Sequence, residues 1–228
     1  VNEVFPRRDA ILKDLRARYG KNLEKYMTEW VGNEIALAMI NPHMQDIPAN
    51  TFLAIHARDI EMAVRNLREL SSSASAASYR DYRIRRISGE GLIPVIYGRV
   101  FSGITGNYYT RIEDYIVFAN SQKSLENFIN IFLSGKTLEQ NENFKGFVDN
   151  VSDRSNLFCY FNIRNTAPYL DDYLSEPLSD FIRNNSGVIK NFEAFAVQFK
   201  ALNNMFFSSL YLRHNPSFIK EDLSIWKA

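Results

Sequence analysis

AFAVQFKALNNMFFSSLYLR, residues 194–213, decides the fold class. Two alternating runs flank Asn203-Asn204, and asparagine tolerates the positive φ values that a two-residue type I′ turn requires. With Leu202 opposite Met205, the register sets Phe195 against Leu212, Val197 against Leu210, Phe199 against Ser208 and Ala201 against Phe206. That face is almost wholly apolar. The other carries Ala194, Ala196, Gln198 and Lys200 against Arg213, Tyr211, Ser209 and Phe207. A slip of one residue would destroy the agreement between turn chemistry and alternation, so the segment is an antiparallel hairpin.

Upstream, the periodicity switches between helix and strand. Ile11, Leu15 and Tyr19 recur at helical spacing before Gly20, and Leu23, Tyr26, Met27 and Trp30 suit a further turn or two. Residues 34–40 alternate large Ile35, Leu37 and Met39 with smaller or polar neighbours, which predicts a strand; Thr51 to Ala57 predicts another. Asp59 caps a helix with Ile60, Ala63, Val64, Leu67 and Leu70 on one face. Tyr82 to Ser88, Ile93 to Phe101, Tyr108 to Ile112 and Tyr115 to Asn120 read as a meander, with Pro94 starting its strand or lying at an edge. Ser121 caps an amphipathic helix that Gly135 ends. Phe144, Phe147 and Val151 suggest a short helix, Leu157 to Ile163 a strand, and Thr166 the cap of a helix turning Leu170, Tyr173 and Leu174 inward before Pro177.

The fold class is therefore α+β, mainly antiparallel sheet with amphipathic helices packed on it. The caps Asp59, Ser121 and Thr166 align three strand-to-helix passages, with Ala63, Leu125 and Leu170 four residues on. Either the chain carries a weak internal β-α repeat or this is the generic look of a capped helix after a strand. Residues 1–228 read as one module, with the small-residue run SSSASAAS at 71–78 as a candidate sub-boundary.

Composition narrows the function classes. Of 228 residues, 46% are hydrophobic and 23% charged, enough for a sizeable core without metal or disulfide support. Formal net charge is +1, so no global field draws the protein to nucleic acid, and no nucleic-acid partner is expected. The single cysteine, Cys159, excludes an intramolecular disulfide and any multi-cysteine metal site. It sits in an apolar strand-like run, where a free cysteine behaves as a small core residue. Apolar runs such as residues 35–40 fall far short of the roughly 20 that span a bilayer. With no initiating Met and a stop soon after Trp226, the sequence reads as part of a longer protein whose signal peptide, anchor or neighbouring domain is missing; a membrane is expected only through a missing anchor.

Catalytic patterns are not found. The histidines His43, His56 and His214 stand in unrelated contexts with no metal-ligand spacing, and no nucleophile elbow is present. Gly103 to Gly106 lacks the lysine of a phosphate loop and reads as a hairpin loop, as does Gly89-Glu90-Gly91. Of the paired carboxylates, Asp171-Asp172 diverge on a helix and Glu113-Asp114 form a turn. A hydrolase assembled from distant residues stays open as an alternative, but catalytic, cofactor and metal residues are all assigned as none. The clearest charge cluster is the strand around Arg80, Arg83, Arg85 and Arg86, interleaved with tyrosines; it is the candidate partner-binding element, against the plainer reading of a solvated strand guarded from edge pairing. Most of the 17 Phe fall on positions expected to face inward; Tyr108, Tyr109 and Tyr211 are a lesser candidate contact surface.

Residues 30–37 (WVGNEIAL), 52–70, 115–121 (YIVFANS) with the helix that follows, and Asn143-Phe144 leading into 157–165 together resemble the bacterial family called domain of unknown function 3352, over roughly residues 25–215. The resemblance implies a periplasmic or envelope-associated protein, and it carries no catalytic residues, because that family has no assigned chemistry. The expected function is a non-enzymatic extracytoplasmic module acting through protein contacts, with envelope proteins or a further domain of its own chain as partners. The alternative is a domain binding a lipid, glycan or peptide in a deep cavity.

Overall fold

A computed structural model of the chain describes residues 8–20, 22–40, 46–71, 76–89, 91–152, 154–166 and 176–215. Where the sequence reads as one module, the chain forms two compact units that meet between Gly135 and Lys136. The run at 71–78 lies inside the first of them: Ser71 bridges to Ile87 and Ala77 pairs with Ile84.

The first unit runs α1 (Arg8–Tyr19), α2 (Leu23–Thr28), β1 (Val31–Met39), β2 (Thr51–Ala57), α3 (Ile60–Glu69), β3 (Ala77–Tyr79), β4 (Tyr82–Arg86), α4 (Leu92–Tyr97), β5 (Tyr108–Ile112), β6 (Tyr115–Ala119) and α5 (Gln122–Leu133). Its strands form one antiparallel sheet in the order β1-β2-β6-β5-β4-β3. Two predicted caps are made: the Asp59 carboxylate accepts the Met62 amide at 2.8 Å, and the Ser121 hydroxyl accepts that of Ser124 at 3.0 Å. Alternation along β2 and β6 then builds two cores. Leu53, Ile55, Ile116 and Phe118 pack with Ala63 and Leu67 of α3 and with Leu15, Met27, Trp30, Leu92 and Ile93; Phe52, Val117 and Ala119 pack with Leu125 and Ile129 of α5. The helices therefore cover opposite faces. Thr166, the third predicted cap, ends a short helix and donates its hydroxyl to the Asn162 carbonyl at 2.6 Å; the helix it was expected to cap, with Leu170, Tyr173 and Leu174, lies outside the described residues.

One predicted strand is a helix. Residues 93–101 form most of α4 and a 3-10 turn over Arg99–Phe101. Gly91 at φ 68 opens the turn, Pro94 sits third in the helix where its missing N–H is not needed, and Leu92 to Val95 are buried on every side. A run apolar all round has no period by which to tell strand from helix. The Gly103 to Gly106 loop consequently joins a helical turn to β5 rather than two strands. Asn120 holds it: its side-chain oxygen accepts the amides of Thr105 (2.6 Å) and Gly106 (3.0 Å), and its amide donates to the Gly103 and Pro48 carbonyls, both at 2.8 Å. Gly106 is obligatory, since a Cβ there would meet the Asn120 carbonyl oxygen at 1.9 Å.

The second unit comprises α6 (Glu142–Val148), β7 (Leu157–Asn162), α7 (Ile163–Thr166), α8 (Glu176–Asn184), α9 (Ser186–Ile189), β8 (Phe192–Leu202) and β9 (Met205–His214), with an antiparallel sheet ordered β7-β8-β9. The hairpin has the predicted register throughout, and Asn203 and Asn204 take φ 50 and 61. The face it buries is not the one its composition suggests. Ala194, Ala196 and Gln198 are buried, while Phe199, Phe206, Leu210 and Leu212 are exposed. Small residues are needed here because Ala196 lies between Tyr160 of β7 and Tyr211 of β9, under Phe147 of α6. Phe144 and Phe147 meet the Tyr160 ring edge-on at 4.9 and 5.3 Å. Gln198 closes this layer by donating to the Ser152 carbonyl (2.7 Å) and accepting its amide (3.2 Å).

Candidate functional site

The basic strand distributes its arginines instead of gathering them. Arg80 occupies the β3–β4 turn at φ 51, its guanidinium 5.9 Å from the Tyr79 ring centroid. Arg83 and Arg85 alternate with buried Ile84 and share the opposite face, with Arg85 paired to Tyr109. Arg86 lies 5.1 Å from the ring centroid of its cross-strand partner Tyr108 and lines an open cleft of about 630 Å³ with Ile11, Asp14, Arg18, Ser88 and Gly89 of α1 and the loop after β4. Guanidinium on tyrosine is worth roughly 0.5–1 kcal/mol at such exposed sites and holds these strands' side chains in place. Tyr109, the other ring of this pair, is a core residue whose hydroxyl meets Ser71 Oγ at 2.9 Å; burial pushes its pKa up, and that hydrogen bond works against the rise.

A second polar group lies at the other end of the sheet. Between Val31 and Ile35 the register of β1 shifts against β2, because a bulge inserts two extra residues. Gly32 allows the close approach: a Cβ there would lie 2.5 Å from His56 Nδ1. The bulge sends Glu34 across His56 to β6, where it accepts a hydrogen bond from the Tyr115 hydroxyl at 2.7 Å. The His56 ring meets Tyr115 edge-on at 5.2 Å. The hydrogen bond to Glu34, with some desolvation, raises the Tyr115 pKa to about 12. Tyr115 therefore keeps its proton and acts as a donor that ties β1 to β6. His214 stands exposed at the end of β9 in the other unit, and His43 and Asp171-Asp172 lie outside the described residues. Glu113 and Asp114 make the β5–β6 turn, where the Asp114 carbonyl accepts the Ala57 amide at 2.8 Å. Cys159 is half-buried on β7 opposite Val197.

Two apolar surfaces were not expected. The first is β1, which is an edge strand: Ile35, Leu37 and Met39, opposite Ile55, Leu53 and Thr51 of β2, are 41–46% exposed and extend the α3-side core face outward. The second is the open face of β7-β8-β9, where Phe161 and Phe195 stack at 4.5 Å beside exposed Leu157, Phe199, Leu210 and Leu212. Alternation marked these residues as one face of a strand, and an apolar face is normally the inner one. The available signal was that the opposite residues, Ala36 and Ala38 in β1 and Ala194 and Ala196 in β8, are small apolar ones rather than charged ones.

A family model matches residues 8–197. The chain belongs to the family described as Protein of unknown function (DUF3352). No curated protein and no solved structure matches it. The DUF3352 match takes in every described element from α1 to α9 and ends inside β8 at Val197, so the rest of β8 and all of β9 lie beyond it. Among the described residues of this DUF3352 member, no helix is long and apolar enough to cross a membrane and no group of three or more His, Cys, Asp or Glu could hold a metal ion.

Proposed function

We propose that this chain is a non-catalytic protein-contact module of the bacterial cell envelope whose contact element is β1, accepting an extended segment of a partner protein as an added strand. The observation that carries the proposal is an edge of nine residues, Val31–Met39, with an exposed apolar stripe of Ile35, Leu37 and Met39 and no strand on its outer side among the described residues. Such an edge is a template for strand addition: main-chain hydrogen bonds supply affinity and alternate side chains supply selection. Glu34, the only charge on β1, turns back over the sheet to Tyr115, so the favoured segment is one with large apolar residues at every second position.

A photo-crosslinking residue at Leu37 in the intact protein tests this in cells. The expected result is a discrete adduct with an envelope protein, lost when Ile35 and Met39 are changed to Glu and absent when the crosslinker replaces Val100, which is 70% exposed elsewhere on the same unit. Identical adducts from Leu37 and Val100, or recovery of the protein only with cytosolic markers, would overturn it. Adducts of the protein with itself would reassign the edge to a homodimer.

A further inference from the structure

We infer that the β8–β9 hairpin is a lipid-inserting tip that seats the second unit on a membrane surface. The inference goes beyond the protein-contact reading and rests on other residues. β7 pairs with β8 only as far as Leu157 opposite Phe199, so the pairs Lys200–Phe207, Ala201–Phe206 and Leu202–Met205 project past it. Asn156 marks the collar, its side-chain oxygen accepting the Ala201 amide at 2.7 Å. Beyond that collar large apolar side chains stand on both faces of the ribbon, and the Asn203-Asn204 turn closes its end. Phe206, 84% exposed, points to one face; Leu202, Met205 and Phe207, each about half exposed, point to the other. Between Lys200 and Arg213 the sequence carries no charged residue.

A one-sided patch suits a docked protein surface, as at β1. A tip with large apolar side chains on both faces needs apolar surroundings on both, and the acyl boundary of a bilayer supplies them. From Lys200 to Leu202 two steps of about 3.3 Å per residue reach about 7 Å, within the roughly 5–10 Å at which interfacial segments settle between headgroups and acyl chains. Lys200, the last charge before the tip, then lies at headgroup level.

Sedimentation of the full chain with phosphatidylcholine vesicles, with and without phosphatidylglycerol, provides the test. Binding to both is expected, weakened about tenfold by Phe206→Asp or Met205→Asp and unchanged by Val100→Asp. Phe206 is exposed enough that its loss leaves the core intact, and circular dichroism of the variant checks this. In a Cys159→Ser background, an environment-sensitive dye on Phe206→Cys should shift to shorter wavelength on vesicles and be quenched by brominated lipid more strongly than the same dye on Leu212→Cys. No binding to either vesicle, equal quenching at both positions, or a concentration-dependent dimer abolished by Phe206→Asp in place of vesicle binding would each overturn the inference. The Leu37 adducts in detergent extract are read separately, so failure of one proposal leaves the other standing.

Discussion

Tyr115 shows how one hydroxyl can fasten an edge strand. Its partner Glu34 lies 81 positions away in sequence, and the hydrogen bond spans the intervening strand β2. Because the folded-state pKa is raised from the usual 10 to about 12, the bond contributes in full below about pH 10 and is lost as pH rises through about 12. The site is largely open to water, so its share of stability is under about 1 kcal/mol. Glu34→Gln removes the negative charge that holds the proton, and Tyr115 should then titrate closer to 10. Phenolate absorbance against a Tyr115→Phe reference measures this; an unchanged titration in Glu34→Gln would show that Glu34 is not the cause. The two caps, Asp59 and Ser121, were legible in the sequence because donor and acceptor lie three residues apart. The Tyr115–Glu34 pair, the Asn120 knot and the Ser71–Tyr109 pair were not, since each joins segments that only tertiary folding brings together.

Among the elements, β8 is the informative case, because its register was legible and its orientation was not. Turn residues and alternation are local properties, and they fixed every cross-strand pair from Ala194–Arg213 to Leu202–Met205. Which face is inner depends on where α6 lands, and that is decided by the fit of Phe144 and Phe147 around Tyr160 above small residues. The same limit applies to α4, whose all-round burial erased the period that would have named it. A pair of substitutions tests the orientation. Ala196→Leu forces a larger side chain between Tyr160 and Tyr211 and should destabilise by about 1–3 kcal/mol. Leu210→Ser, on the face that composition alone would have made the core, should change stability by no more than about 0.5 kcal/mol. Urea midpoints at constant m-value decide between them, and a reversed order would mean that the apolar face is the covered one.

On the scale of the whole molecule, the two units differ in how completely their sheets are covered. The six-stranded sheet has helices on both faces, with Leu15, Met27, Trp30 and Leu67 on one side and Leu125 and Ile129 on the other. Among the described residues of the second unit, the buried cluster is Phe147, Ala194 and Ala196 on one face of three strands, and the other face stays open. Hydrophobic burial is the dominant favourable term in folding, so the second unit should be the weaker and should melt first. Calorimetry is expected to resolve two transitions. Ala196→Leu should lower only the first, and Leu67→Ala, a cavity in the larger core costing about 2–5 kcal/mol, only the second. A single transition displaced by both substitutions would mean that the units unfold as one. The same experiment separates the two proposed contacts by linkage, since a ligand raises the transition of the unit that binds it. Vesicles should raise the first transition through the hairpin, and a peptide captured on β1 should raise the second. A vesicle effect confined to the second transition would place the lipid contact on the six-stranded unit and remove it from the hairpin.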